Sequence, residues 1–179
     1  MQEKEIRTVW EIVKRAFVLI FGLVVMAFGV AFSINAELGT SPVSSIPYVT
    51  SLINGLTVGT TTIIVNTVIV LLQIVVLRRH FHLIRLLQIP VCVAFGLLID
   101  LASYCIADVI PQGYLMQWLL CAVGIVLVAI GVSCEVAADL LTLAGEGLVQ
   151  ALCAVCPLKF GYMKVIVDVS FVVIAVVLS

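Results

Sequence analysis

Five apolar runs, at 16–35, 60–77, 83–107, 114–134 and 161–179, leave this chain little to fold into except a bilayer. The hydrocarbon core is about 30 Å thick and a helix rises about 1.5 Å per residue, so about 20 apolar residues make one crossing. A hydrophobic fraction of 64%, only 11% charged residues and a mean hydropathy of +1.33 lie far outside the soluble range. The expected class is all-α, a polytopic transmembrane helical bundle. Residues 1–15 read as a basic arm and 16–179 as one membrane domain, because no Ser, Gly or Pro linker divides it.

A second feature organises the runs. Residues 22–72 and 124–174 align without a gap at an offset of 102, with the 83–107 span connecting them. Gly22, Val24, Ala27 and Gly29 lie over Gly124, Val126, Ala129 and Gly131, and Ala36, Leu38 and Thr40 over Ala138, Leu140 and Thr142. Thirteen of fifty-one positions are identical, where about four would arise by accident in so apolar a composition. Any two apolar helices look somewhat alike, but that would not keep Glu37 over Asp139 or Asn66 over Asp168. The pattern is that of an internal repeat.

Two further apolar stretches, 43–53 and 140–156, occupy matching places in the copies. The first has eleven residues beside Pro42 and Pro47, too few to cross. Basic residues bear on how both are counted. They cluster as Lys4, Arg7, Lys14 and Arg15, as Arg78, Arg79 and Arg85, and as Lys159 and Lys164. If neither short stretch crosses, all three clusters fall on the side of the N-terminus, which the positive-inside rule makes cytoplasmic. Both stretches are therefore expected to be re-entrant or broken helices, giving five full spans and an inverted repeat. The alternative makes 140–156 an ordinary span. The first run follows basic residues as a signal peptide would, but it is too long for a signal core and reads as a retained helix. Trp10 and Trp118 lie near span ends, where indoles anchor or pack.

The turn Glu37-Leu38-Gly39-Thr40-Ser41-Pro42 resembles that of the YczE/YyaS/YitT group of small integral membrane proteins. Its second version, Asp139-Leu140-Leu141-Thr142-Leu143-Ala144-Gly145-Glu146-Gly147, loses Ser-Pro and gains an acid. The resemblance implies a bacterial inner-membrane protein of a family described as transporters without a settled biochemical role. Ser179 maps onto Leu77, just before the arginine cluster of copy one, so copy two lacks a counterpart of that basic tail, which leaves truncation at Ser179 open.

Charged groups at membrane depth cost about 2.5–3.5 kcal/mol each on insertion scales, so each needs a partner, a cavity or a task. The candidates for solute binding or coupling are Asn35, Glu37, Thr40, Ser41, Asn66, Asp100, Glu135, Asp139, Glu146, Lys164 and Asp168. Ser44, Ser45, Thr60, Thr61 and Thr62 share their surroundings. Lys164 and Asp168 are four apart and can pair along one helix face, either as a structural device or, with Glu146, as a charged triad able to hold a zwitterion or relay protons. Glu135 and Asp139 have the same spacing with like charges; a helix end between them, a proton or a nearby cation would resolve the conflict.

Gly22, Gly29, Gly124 and Gly131 read as close-packing positions. Gly39, Gly55, Gly59, Gly145, Gly147 and Gly161 flank the short stretches, and a binding role is expected for them over packing. Asp100 can bond to Tyr104 or another helix, or line the pathway, and Pro90 should kink its helix. His80 and His82 read as solvated or headgroup-facing rather than metal ligands. Of six cysteines, only Cys153 and Cys156 form a Cys-x-x-Cys pair, a weak redox signal beside the packing role.

No phosphate-binding loop, zinc-protease motif or nucleophile elbow is present, so no enzyme and no cofactor are expected. The basic clusters point to the bilayer rather than nucleic acid. The expected function is transport of a small polar or charged solute, with proton coupling through Glu146, Asp168 or Asp139. A binding or regulatory subunit of a larger membrane complex is the alternative, and a membrane thiol oxidoreductase a third. Homo-oligomerisation or a partner complex stays open.

Overall fold

The computed structural model describes residues 9–78, 86–156 and 158–179. The apolar segments become seven helices, with no strand among the described residues: α1 (Val9–Asn35), α2 (Pro42–Asn54), α3 (Val58–Leu77), α4 (Gln88–Cys105), α5 (Tyr114–Ala138), α6 (Ala144–Val155) and α7 (Phe160–Leu178). Of these, α1, α3, α4, α5 and α7 are long and apolar enough to cross a membrane. The 13 residues of α2 and 12 of α6 reach only about 20 and 18 Å, short of the roughly 30 Å required. Residues 140–156 are therefore not an ordinary span. Large apolar side chains such as Phe17, Leu115 and Val177 are 76%, 76% and 80% exposed, a surface suited to lipid.

Helix limits differ from the sequence reading at two places that matter. α1 starts at Val9, so Trp10, Lys14 and Arg15 of the basic arm are already helical. The Lys14 ammonium lies over the Trp10 ring, 5.4 Å from its centroid. α5 continues beyond Cys134 to Ala138, which carries Glu135 into the last helical turn. Lys4, Arg7, Arg79, His80, His82 and Arg85 lie outside the described residues.

Small residues set the packing. A Cβ added at Gly29 would lie 2.9 Å from the Gly124 carbonyl oxygen, and one at Gly131 2.7 Å from that of Gly22. Backbone meets backbone at both points, and the order of the contacts makes α1 and α5 antiparallel. Gly59 of α3 and Gly96 of α4 approach as closely. α2 packs on α7 and α3, α6 packs on α3 and α7, and α4 lies against α1 and α3. One apolar cluster joins Ile69, Val70, Leu148, Val149, Val167 and Phe171 across α3, α6 and α7. Another joins Leu23, Met26, Ala27, Phe95 and Ile99 across α1 and α4.

All the described basic residues except Lys164, which lines the cavity, gather at one end. Arg15 Nη1 donates to the Ala138 carbonyl at 3.2 Å and lies 3.6 Å from Asp139, pinning the start of α1 to the finish of α5. Arg78 follows the last turn of α3, beside the start of α4, and Lys159 precedes α7. At the opposite end Asn35 Nδ2 donates to the Val109 carbonyl at 2.5 Å.

Candidate functional site

The two copies end their first helices in the same way. Glu37 (φ 56°) and Asp139 (φ 46°) both adopt the left-handed conformation. Their amides return to the carbonyls of Ile34 and Val136, at 3.1 and 3.2 Å. The next step differs. Ser41 caps α2 by accepting the Ser44 amide at 3.3 Å. Its counterpart is Leu143, which has no side-chain acceptor. Copy two uses Glu135 instead: Oε1 accepts the Leu143 amide at 2.5 Å, from a side chain only 1% exposed. The positive end of α6 favours this carboxylate, and that of Glu146 in its first turn.

The starts of α2 and α6 converge, with the Val43 side chain 3.1 Å from where a Gly145 Cβ would stand. Beside them lies a cavity of about 170 Å3. Its lining obeys the repeat. Met26 and Val128, Val30 and Val132, Ser41 and Leu143, Val43 and Gly145, Ser44 and Glu146, Thr62 and Lys164, and Asn66 and Asp168 all contribute, each pair being one position in the two copies. The three polar pairs are neutral in copy one and charged in copy two.

Two outer spaces flank this cavity. One of about 640 Å3 at the basic end is lined by Glu135, Leu140, Leu141 and Thr142. One of about 470 Å3 at the opposite end is lined by the matching Ser33, Leu38, Gly39 and Thr40. The basic-end vestibule shares Val132, Glu135 and Glu146 with the central cavity, and the other shares Ser41 and Val128.

Within the cavity Lys164 Nζ and Asp168 Oδ1 are 3.1 Å apart, both side chains partly exposed to it. Both charges act on Glu146, which is half-buried. The arrangement offers one ammonium and several carboxylates, a set that can hold a solute carrying charge of either sign. Among the described residues no group of three His, Cys, Asp or Glu side chains is placed to hold a metal ion.

Residues 13–179, which include every cavity residue, match a family of unknown function, DUF6198. The chain belongs to DUF6198. No curated protein and no solved structure matches it significantly.

In this DUF6198 chain the cavity brings together Ser41, Asn66, Glu135, Glu146, Lys164 and Asp168 of the residues expected from sequence. The others lie elsewhere. Asn35 ties α1 to Val109, and Glu37 is exposed at the helix end. Thr40 lines the opposite vestibule. Asp100 caps α3: Oδ1 accepts the Gly59 amide and Oδ2 the Thr57 hydroxyl, both at 2.7 Å. Asp139 faces Arg15, so Glu135 and Asp139 part company at the end of α5. Ser44 and Thr62 belong with the cavity, and the signal for them was their register with Glu146 and Lys164. Gln73 and Gln88 gave no signal in the sequence. They are 0% and 3% exposed and meet Gly147 of α6, with Gln73 Nε2 donating to the Ala144 carbonyl at 2.9 Å.

The flanking glycines divide between close packing, turns and the lining of the spaces. Gly59 and Gly147 serve close packing, Gly39 and Gly55 adopt positive φ in turns, and only Gly145 lines the cavity. Cys153 and Cys156 are free thiols packed against the apolar cluster around α6.

Proposed function

We propose that this chain is a bacterial inner-membrane transporter, an inverted repeat that moves a small polar or charged solute through the central cavity. The observation that carries the reading is that one cavity is lined by matched positions of both copies and flanked by matched vestibules at opposite ends. A site on a pseudo-two-fold axis with one opening per face is what alternating access between inverted halves needs. Antiparallel α1 and α5 and the reciprocal packing of α2 on α7 and α6 on α3 support the inversion. In this reading α2 and α6 are re-entrant, each entering and leaving by one face. The gathering of Lys14, Arg15, Arg78 and Lys159 at one end supports a cytoplasmic side for that end and the N-terminus by the positive-inside rule. The turn at Glu37 to Pro42 supports kinship with the YczE/YyaS/YitT group.

The Lys164 ammonium beside the Glu146 and Asp168 carboxylates favours a zwitterionic solute. Uptake of radiolabelled glycine and betaine into proteoliposomes tests this, with Glu146→Gln and Asp168→Asn as variants. Uptake that both substitutions reduce at least tenfold is expected, and undiminished uptake in both removes the site. A binding subunit of a larger complex would instead retain the solute without flux.

A further inference from the structure

The wall between the central cavity and the basic-end vestibule is rich in bare acceptors. Glu135 and Glu146 face both spaces. Glu135 is 1% exposed; its Oε1 takes the Leu143 amide, while Oε2 is fully buried without a hydrogen-bond partner. Gln88, 3% exposed, lines the same vestibule, and its Oε1 is equally bare. Buried acceptors left without donors are destabilising and mark places where a ligand or ion completes the structure.

Neighbouring charges do not complete it. The Lys164 ammonium acts on Glu135 at a distance, but its 3.1 Å contact is with Asp168. Arg15 is engaged with Ala138 and Asp139 at the mouth. At the matching place in the opposite vestibule stands the neutral Ser33, and the buried oxygen without a partner there is the Thr40 hydroxyl, so the carboxylates belong to one face only. A proton on Glu135 is the competing answer, since its hydroxyl can donate to the Gln88 carbonyl; an ion ligated by oxygens answers both groups and meets Glu146 as well. Of the other acids nearby, Asp139 faces Arg15 and Asp168 faces Lys164; the two carboxylates and one amide that remain match a monovalent charge better than a divalent one.

We infer that Glu135, Glu146 and Gln88 form a binding site for a monovalent cation, the ion that couples the basic-end vestibule to the central cavity. The coupling role rests on the transporter reading; the binding does not.

Thermal unfolding of the purified full chain in detergent tests it, at fixed pH and ionic strength, with LiCl, NaCl, KCl or NH4Cl replacing choline chloride. A saturable rise in Tm over choline is expected with at least one of these ions, because a ligand that binds only the folded state stabilises it. Glu135→Gln and Glu146→Gln should weaken the apparent affinity at least tenfold, and the exposed Asp108→Asn should leave it unchanged. If Glu135→Gln does not fold, Glu146→Gln and the ion selectivity of the unmodified chain decide. Equal Tm in all five salts, unaltered affinity in the folded variants, or a Tm that follows pH alone overturns the site; the last outcome assigns a proton. Cation stabilisation without solute flux would sink the transporter and spare the site; solute flux beside equal Tm in all five salts would sink the site and spare the transporter; and flux without cation dependence beside cation stabilisation would overturn the coupling role alone.

Discussion

Replacing Gly29 by Ala tests the α1–α5 crossing that frames the cavity. The new Cβ would lie 2.7 Å from Val128 N, 2.8 Å from Val128 Cγ2 and 2.9 Å from the Gly124 carbonyl oxygen. Two of these are backbone atoms, so no rotamer change relieves them. Restoring ordinary contact means parting the helices by roughly 0.7 Å, and a gap of that size forfeits about a quarter to a half of each neighbouring dispersion contact. Overpacking of this kind costs about 1–3 kcal/mol. The better helix propensity of Ala returns at most about 1 kcal/mol. The net expectation is a loss of about 1–2 kcal/mol, and Gly131→Ala should lose a similar amount because its Cβ would stand 2.7 Å from the Gly22 carbonyl oxygen. Gly161→Ala is the internal control: nothing lies within 4 Å of its Cβ, so the same change should be neutral or stabilise by about 0.5–1 kcal/mol. Tm of the purified variants reads the difference. A Gly29→Ala protein as stable as the parent, or Gly29→Ala and Gly161→Ala shifting in the same direction, would refute the close-contact argument.

Further expectations concern single interactions. Asp100→Ala removes both cap bonds at the start of α3 and should cost about 1–2 kcal/mol by chemical unfolding without changing solute affinity. Lys164→Met leaves Asp168 unpaired and should cost about 1–3 kcal/mol, less than a fully buried pair because the side chains are 31% and 25% exposed. Adding Asp168→Leu should restore part of it, and a double-mutant cycle with no coupling would contradict the pairing. Arg15→Met removes a contact whose side chains are 36% and 70% exposed, so the change in stability should stay within about 1 kcal/mol. Single cysteines in an otherwise cysteine-free chain should react with an impermeant maleimide from outside whole cells at Asp108 and not at Lys159; the converse labelling would reverse the topology.

Apolar run length made the five spans legible, since a crossing needs a minimum length and little else. The limits of those spans were less so: α5 keeps Glu135 inside the helix because the carboxylate finds the Leu143 amide, a tertiary contact that local hydropathy cannot register. The repeat was the better guide to the cavity. Its aligned Asn66 and Asp168 both line the cavity, and the same register identifies Ser44 and Thr62 once Glu146 and Lys164 are placed. Asp100 was ambiguous because an acid in a span reads alike whether it meets solute or caps a neighbouring helix. Gln73 and Gln88 were missed because an uncharged amide near a helix end carries no signature until its burial is known.

The difference between the halves at the centre has an electrical consequence. α2 and α3 contain no charged side chain, while α6 and α7 carry Glu146, Lys164 and Asp168, a formal sum of one negative charge. Voltage across the bilayer exerts force only on charge, about 2.3 kcal/mol per elementary charge moved through 100 mV. Any displacement of α6 and α7 along the membrane normal therefore does work against or with the field, and the same displacement of α2 and α3 does none.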